Sequence, residues 1–139
     1  MNKIAIQGIK GSYHHQVAIE YFGDKINYVE CLNFDKLIDV VCESNKNIGV
    51  MAIENSIAGS ILPNYALIDK YNLSITGEYS LSIDHNLMCL PGQGIEDIEE
   101  VHSHPMALLQ STKFITTYPQ IKLIESEDTA LFAKNANHA

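Results

Sequence analysis

Apolar residues change their spacing at regular intervals along the chain, and each change marks an element. Ile4-Ala-Ile6 is a short apolar strand that runs into the glycine-bracketed turn Gly8-Ile-Lys-Gly11. Ser12 can cap a helix with Val17, Ala18, Tyr21 and Phe22 on its apolar stripe, and Gly23 suits the left-handed stop after it. Asn27-Tyr-Val-Glu-Cys31 reads as a second strand. Asn33 caps a second helix whose apolar face holds Phe34, Leu37, Ile38, Val41 and Cys42. Residues 48–53 are an unbroken apolar run, the pattern of a parallel strand covered on both faces. Ser56 then begins a loop or helix that Pro63 punctuates and that continues through residues 65–71. Strand and helix alternate throughout, which predicts an α/β fold with a parallel sheet and helices on its faces.

The texture changes after Asn72. Residues 73–90 are rich in strand formers, alternate weakly and end at the turn Pro91-Gly-Gln-Gly94. Val101-His-Ser-His104 reads as a short strand end, and Pro105 suits the first position of a helix over 105–118. Ile121-Lys-Leu-Ile124 is another strand. Glu127 and Asp128 favour the first turn of a last helix over 129–137, where they complement its dipole. The expected organisation is two α/β lobes, 1–77 and 78–139. The second is expected to be incomplete at its C-terminus, where a βα pattern calls for another strand.

Composition narrows the function. At 46% hydrophobic and 19% charged residues, the 139-residue chain is ordinary soluble globular material. No apolar run approaches the ~20 residues that span a bilayer, and the N-terminal stretch does not resemble a signal peptide. Cys31, Cys42 and Cys89 are widely spaced, which favours reduced thiols and a cytoplasmic setting. A net charge of −8 argues against nucleic acid and anionic membranes as partners. All nine basic residues are lysines, so the bidentate guanidinium clamp for carboxylate or phosphate is missing. An anion site within these residues must use backbone N–H groups, hydroxyls, amides and lysines.

Three stretches share one expected layout of strand end, polar turn and helix start: Gly8 to Tyr13, Glu54-Asn-Ser56 with Gly59, and His102-Ser-His-Pro105. In an open α/β sheet, ligands bind at the carboxyl ends of strands, where helix N-termini present unpaired N–H groups. The pairs His102/His104 and His14/His15 read as exposed or capping histidines rather than metal ligands, since neither an HxxxH nor a cysteine accompanies them. The glycine turn is neither a P-loop nor GxGxxG, and no nucleophile elbow is present.

Three segments in this order, Gly8-Ile-Lys-Gly-Ser-Tyr13, Gly49-Val-Met-Ala-Ile-Glu-Asn-Ser-Ile-Ala-Gly59 and Ser103-His-Pro-Met-Ala-Leu108, resemble the prephenate dehydratases. The later Glu125-Ser-Glu-Asp-Thr-Ala130 resembles that family's strand-to-helix junction. The resemblance covers nearly the whole chain. It implies a two-lobed fold like that of type II periplasmic binding proteins, with a cleft between the lobes, and conversion of prephenate to phenylpyruvate, water and CO2 without metal or cofactor. Substrate binding is then expected at Gly11, Ser12, Tyr13, Asn55, Ser56, Gly59, Ser103 and His104, with Glu54 turned away to tie down its loop.

This chain departs from the family pattern in places. Ser12-Tyr13 replaces Thr-Phe, and Met106 replaces a glutamine. The family's Thr-Arg-Phe motif, whose threonine is regarded as catalytic, is absent, so no catalytic residue is assigned. Thr112-Lys-Phe114 falls in the expected helix after Ser-His-Pro and is not that motif. The family's phenylalanine-binding ACT domain, expected downstream, is absent too. The open sheet edge expected at the C-terminus favours a homodimer, and residues 1–139 alone are expected to be inactive. Arogenate dehydratase and a non-catalytic domain that binds a small aromatic acid are the alternatives.

Overall fold

The structure, a computed structural model, describes residues 2–126. Contacts divide the chain into two compact units, one ending at Ser82 and the other beginning at Ile83. The first unit is built on a three-stranded parallel sheet of order β2-β1-β3, with β1 (Ile4–Gln7) between β2 (Tyr28–Cys31) and β3 (Ile48–Val50). Helices α1 (Tyr13–Phe22) and α2 (Phe34–Cys42) connect the strands as the alternation requires.

The strand period of two decides which residues meet each helix. Ile4 and Ile6 pack with Ala18 of α1, together with Ile26, Tyr28, Ile48 and Val50. Ala5, on the other face, packs with Cys31 and with Leu37 and Ile38 of α2. Each Ile or Leu side chain among them contributes about 1.5–3 kcal/mol when taken from water, so the alternation along β1 fixes a two-faced core. Ala5 lies opposite Gly49 in register, and both are small. A Cβ at Gly49 would fall 2.7 Å from Leu37 Cδ2 and 2.9 Å from Val41 Cγ2. The glycine is therefore what lets α2 lie close against β3.

The caps follow the sequence. Ser12 Oγ accepts from the N–H of His15 at 3.3 Å, and Asn33 Oδ1 accepts from that of Lys36 at 2.9 Å. Gly23 ends α1 at φ 91°. The stripe of α1 is narrower than its spacing suggests, because Ala18 is buried while Tyr21 and Phe22 are exposed. Tyr21 instead packs edge-on to Tyr79, whose hydroxyl donates to Glu20.

Three expected elements differ. The apolar run 48–53 pairs with β1 only as far as Val50, because β1 leaves the sheet at Gly8, where φ is 96°. Ser56 begins no helix: β4 (Glu54–Asn55) and β5 (Gly59–Ser60) form an antiparallel hairpin, and α3 (Leu62–Lys70) starts after it with Pro63 in its first turn. Residues 73–90 form no strand among the described residues and are largely exposed. Strand propensity describes how well side chains fit a pleated surface, not a conformation that residues hold without a ladder.

In the second unit, β6 (Glu100–Ser103) pairs in parallel with β7 (Lys122–Glu125), over the buried side chains of Leu108 and Ile121. The single helix expected over 105–118 is two short ones, α4 (Pro105–Gln110) and α5 (Thr112–Ile115), broken at Ser111. The hydroxyl of Thr112 donates back to the carbonyl of Leu109 at 2.7 Å, and Thr116 and Thr117 donate to those of Lys113 and Phe114. Such back-bonding competes with the helical ladder and ends short helices. The helix expected over 129–137 lies outside the described residues.

Candidate functional site

The candidate residues fall in two groups, one in each unit. In the first, the turn after β1 carries Gly11, Ser12 and Tyr13. Its backbone donors are largely engaged by the protein itself. Gly8 N–H donates to the carbonyl of Cys31 at 2.9 Å and Ser12 N–H to that of Ile9 at 3.0 Å. Lys10 N–H donates to Glu30 Oε1 at 2.8 Å and Gly11 N–H to His15 Nδ1 at 3.3 Å. The turn is thus closed by a carboxylate and an imidazole of its own chain. This corrects the expectation of a row of unpaired N–H groups, because local acceptors take most of them. Gly11, at φ 93°, has open space where a side chain would sit.

Asn55, Ser56 and Gly59 lie in the hairpin. Asn55 Oδ1 accepts from the N–H groups of Ile57 at 2.9 Å and Ala58 at 3.0 Å, which shapes the turn, and Gly59 closes it at φ 78°. These residues therefore stand at a strand end but not at a helix start, and no helix dipole serves them. Ser56 is exposed at the turn. Glu54 ties the loop down, as its position suggests: Tyr65 donates to its Oε1 at 2.9 Å and Ser60 at 3.4 Å. That bond pushes the Tyr65 phenol above its usual range.

The hairpin is attached to the rest of the unit through Ala52. Its N–H donates to His14 Nε2 at 3.1 Å, and its carbonyl accepts from Asn64 Nδ2 at 2.7 Å. A backbone N–H only donates, so Nε2 must be the unprotonated nitrogen and His14 is neutral. Burial holds the His14 pKa down to about 4, and its ring packs edge-on against Phe34 at 5.4 Å. This corrects the reading of His14 as an exposed or capping histidine. His15 does lie beside the cap, edge-on to Tyr28 at 4.8 Å.

In the second unit, Ser103 and Glu125 are in register at the carboxyl ends of β6 and β7. Ser103 is buried, and its carbonyl accepts from the N–H of Ser126 at 2.8 Å. His104 caps α4, its Nδ1 accepting from the N–H of Met106 at 3.2 Å. An open depression of about 480 Å³ is lined by His104, Pro105, Glu125 and Ser126. Ser126 Oγ is buried without a hydrogen-bond partner among the described residues. His102 Nε2 lies 3.0 Å from Glu100 Oε2. Among the described residues no three His, Cys, Asp or Glu side chains converge in a way that could hold a metal.

Within the first unit, the structure links the turn after β1 to the hairpin through His14 and Ala52. Within the second, it brings Ser103 and His104 beside Glu125 and Ser126. His14 and Asn64 were not among the expected site residues. No spacing in the sequence marks Asn64, which is buried on α3.

A family model described as prephenate dehydratase matches residues 4–139. The bifunctional chorismate mutase/prephenate dehydratase of Enterobacter agglomerans is 37% identical over 131 residues, covering 92% of this chain and 34% of the relative. The arogenate dehydratase/prephenate dehydratase 2, chloroplastic, of Arabidopsis thaliana is 36% identical over 132 residues, with 95% of this chain and 34% of the relative covered. Among solved structures, the prephenate dehydratase of Staphylococcus aureus subsp. aureus Mu50 matches with a TM-score of 0.79 at 25% identity, over 96% of this chain and 50% of that one. A structure described as GqqA, a novel type of quorum quenching acylase, matches with a TM-score of 0.80 at 28% identity, over 98% of this chain and 49% of that one. The chain thus spans about 34% of the length of these curated relatives.

Proposed function

The chain belongs to the prephenate dehydratase family, and from that premise we propose that it forms the front part of a lyase converting prephenate to phenylpyruvate, water and CO2 in phenylalanine biosynthesis. The observation that carries this reading is where the two most specific motifs fall. Ile-Glu-Asn-Ser begins three residues beyond β3 and enters the β4–β5 hairpin, and Ser-His-Pro begins on the last residue of β6. Both thus lie toward the carboxyl ends of parallel strands, the side on which α/β folds bind their ligands. In this reading the chain carries the two lobes, 1–77 and 78–139, of a fold like that of type II periplasmic binding proteins. Gly11, Ser12, Tyr13, Asn55, Ser56 and Gly59 from the first and Ser103 and His104 from the second bind the substrate. The working enzyme is a cytoplasmic homodimer with a regulatory phenylalanine-binding ACT domain.

The reaction sets the demand on these residues. Prephenate carries two carboxylates and a ring hydroxyl, and losing CO2 and water makes the ring aromatic, so the driving force lies in the substrate. The protein has to hold the dianion and protonate the departing hydroxyl, a service worth roughly 10²–10⁴-fold in rate. Hydroxyls and amides supply the binding here, because residues 1–139 contain no arginine.

A relative named arogenate dehydratase/prephenate dehydratase supports a second reading, arogenate as substrate. The test is an assay of the full-length protein with each compound, following phenylpyruvate from prephenate and phenylalanine from arogenate. Product from prephenate, lost about 100-fold or more in Asn55→Ala, is the expected result if that amide holds developing charge. Residues 1–139 by themselves are expected to form neither product. A full-length protein that acts on neither compound refutes the proposal.

A further inference from the structure

Ala52 occupies a gap in the sheet. Its neighbour strand would be β1, but β1 turns away at Gly8, and the β1–β3 ladder stops at Val50. The chain nevertheless stays bonded on both sides of Ala52. His14, in the first turn of α1, accepts from its N–H, and Asn64, in α3, donates to its carbonyl. The next backbone bond runs from Ile61 N–H to the Ile53 carbonyl at 2.8 Å and closes the base of the β4–β5 hairpin. Two side chains from two helices therefore do for one peptide what a strand neighbour does for the rest of β3.

We propose that His14 and Asn64 are positioning residues, which hold Ala52 in place of a strand neighbour and thereby fix the hairpin that presents Asn55 to the substrate. The inference deepens the functional reading above and rests on it for its kinetic arm only. Satisfying a part-buried peptide is a common need of folds, but its location here gives it a consequence. The bonded peptide stands directly before Glu54 and Asn55, and the hairpin itself has only two residue pairs in its ladder. So short a hairpin does not hold its own direction. Its base, fixed by Ala52 and Ile53, sets where Asn55 points. Asn64 is 2% exposed, with its amide aimed at the Ala52 carbonyl. His14 keeps the neutral form and the tautomer that this bond needs.

The experiment uses the full-length protein and three variants. His14→Phe keeps a ring against Phe34 but removes the acceptor. His14→Gln restores an acceptor at the reach of Nε2. Asn64→Leu removes the second bond from the other helix, and it decides the question if His14→Phe does not fold. Amide exchange is read at Ala52, Ile57 and Ala58, with the amides of β1 as the control for an intact sheet. Exchange at the three sites is expected to accelerate about tenfold in His14→Phe and Asn64→Leu while β1 is unchanged, and to return in His14→Gln. With prephenate, kcat is expected to fall about 100-fold in the first two, with KM moving less, and to recover in His14→Gln. Unchanged exchange at Ile57 and Ala58 overturns the proposal, as does a kcat that falls in His14→Gln as far as in His14→Phe. If the wild-type protein converts neither prephenate nor arogenate, the substrate reading fails, and the exchange pattern by itself still decides whether the two residues hold the hairpin.

Discussion

The two units differ in how deeply they bury a strand. In the first, Ile4, Ala5 and Ile6 are all buried, and each face of β1 is covered by a helix close by in sequence. In the second, β7 keeps Lys122, Leu123 and Glu125 exposed, and Leu108 and Ile121 are its buried apolar side chains among the described residues. The helices differ in the same direction: α1 has 10 residues and α2 has 9, whereas α4 has 6 and α5 has 4. A strand covered on both faces constrains its neighbours by volume. A strand covered lightly leaves helix ends to local side-chain chemistry. The first unit is therefore where core substitutions should be felt most.

Leu37→Ala measures that difference. Leu37 is 1% exposed and packs with Ala5, Cys31 and Ile38, so the truncation is expected to cost about 2–5 kcal/mol. The matching change in the second unit, Leu108→Ala, truncates a leucine that is 8% exposed in a more lightly covered layer and is expected to cost less, at the lower end of that range, about 2 kcal/mol. Urea unfolding of both variants in the full-length protein checks the pair. Equal costs would show that the second unit has a core as demanding as the first.

Acid should weaken the first unit through His14. Its pKa is about 4 in the folded chain against 6.5 for the ordinary side chain. As pH falls below 6.5 the unfolded chain takes up the proton first, so stability is lost progressively down to about pH 4 and no further from this group. A shift of this size corresponds to a loss of up to about 3 kcal/mol. The unfolding midpoint followed from pH 7 to 4 at constant ionic strength should show this slope in the wild type and less of it in His14→Gln. Identical slopes in the two proteins would remove His14 as the cause.

A smaller effect is expected where α2 meets the sheet. Gly49→Ala puts a methyl against Leu37 and Val41, at 2.7 and 2.9 Å before relaxation, and overpacking of this kind costs about 1–3 kcal/mol. A rise in thermal stability, as from a glycine replaced in open space, would show that α2 can retreat without loss.

The same contrast explains what was legible in the sequence. β1, β2, α1, α2 and their caps Ser12 and Asn33 could be read directly, because alternation and capping act between residues near each other in the chain. At residues 54–60 Asn55 and Ser56 have the residue types of a helix cap, so the pattern suggests a loop or a helix start and does not show the hairpin. Only Gly59 and the pairing of Glu54 with Ser60 reveal the hairpin. Residues 73–90 have the composition of strands, but a strand also needs a ladder, and composition does not say whether one is present. Among site residues, the turn glycines and Ser-His-Pro were visible as patterns. The link from His14 through Ala52 to Asn64 was not, since it joins residues that no spacing rule connects.

The smallest expected effect falls at the break between α4 and α5. Thr112 is exposed, and its hydroxyl donates to the carbonyl of Leu109 at 2.7 Å, within the turn where the helix stops. Removing the hydroxyl and the β-branch takes away the competing bond and adds helix propensity, so Thr112→Ala is expected to stabilise the protein by about 0.5 kcal/mol. Amide exchange at Ile115 and Thr116 should slow, since their N–H groups donate to the carbonyls of Ser111 and Thr112 at the start of α5. The variant also tests the only threonine-basic-phenylalanine triplet among these residues, Thr112-Lys-Phe114. Its hydroxyl is engaged by its own helix, so turnover of prephenate by the full-length protein should not change. A loss of turnover together with a gain in stability would mean that this threonine takes part in the chemistry.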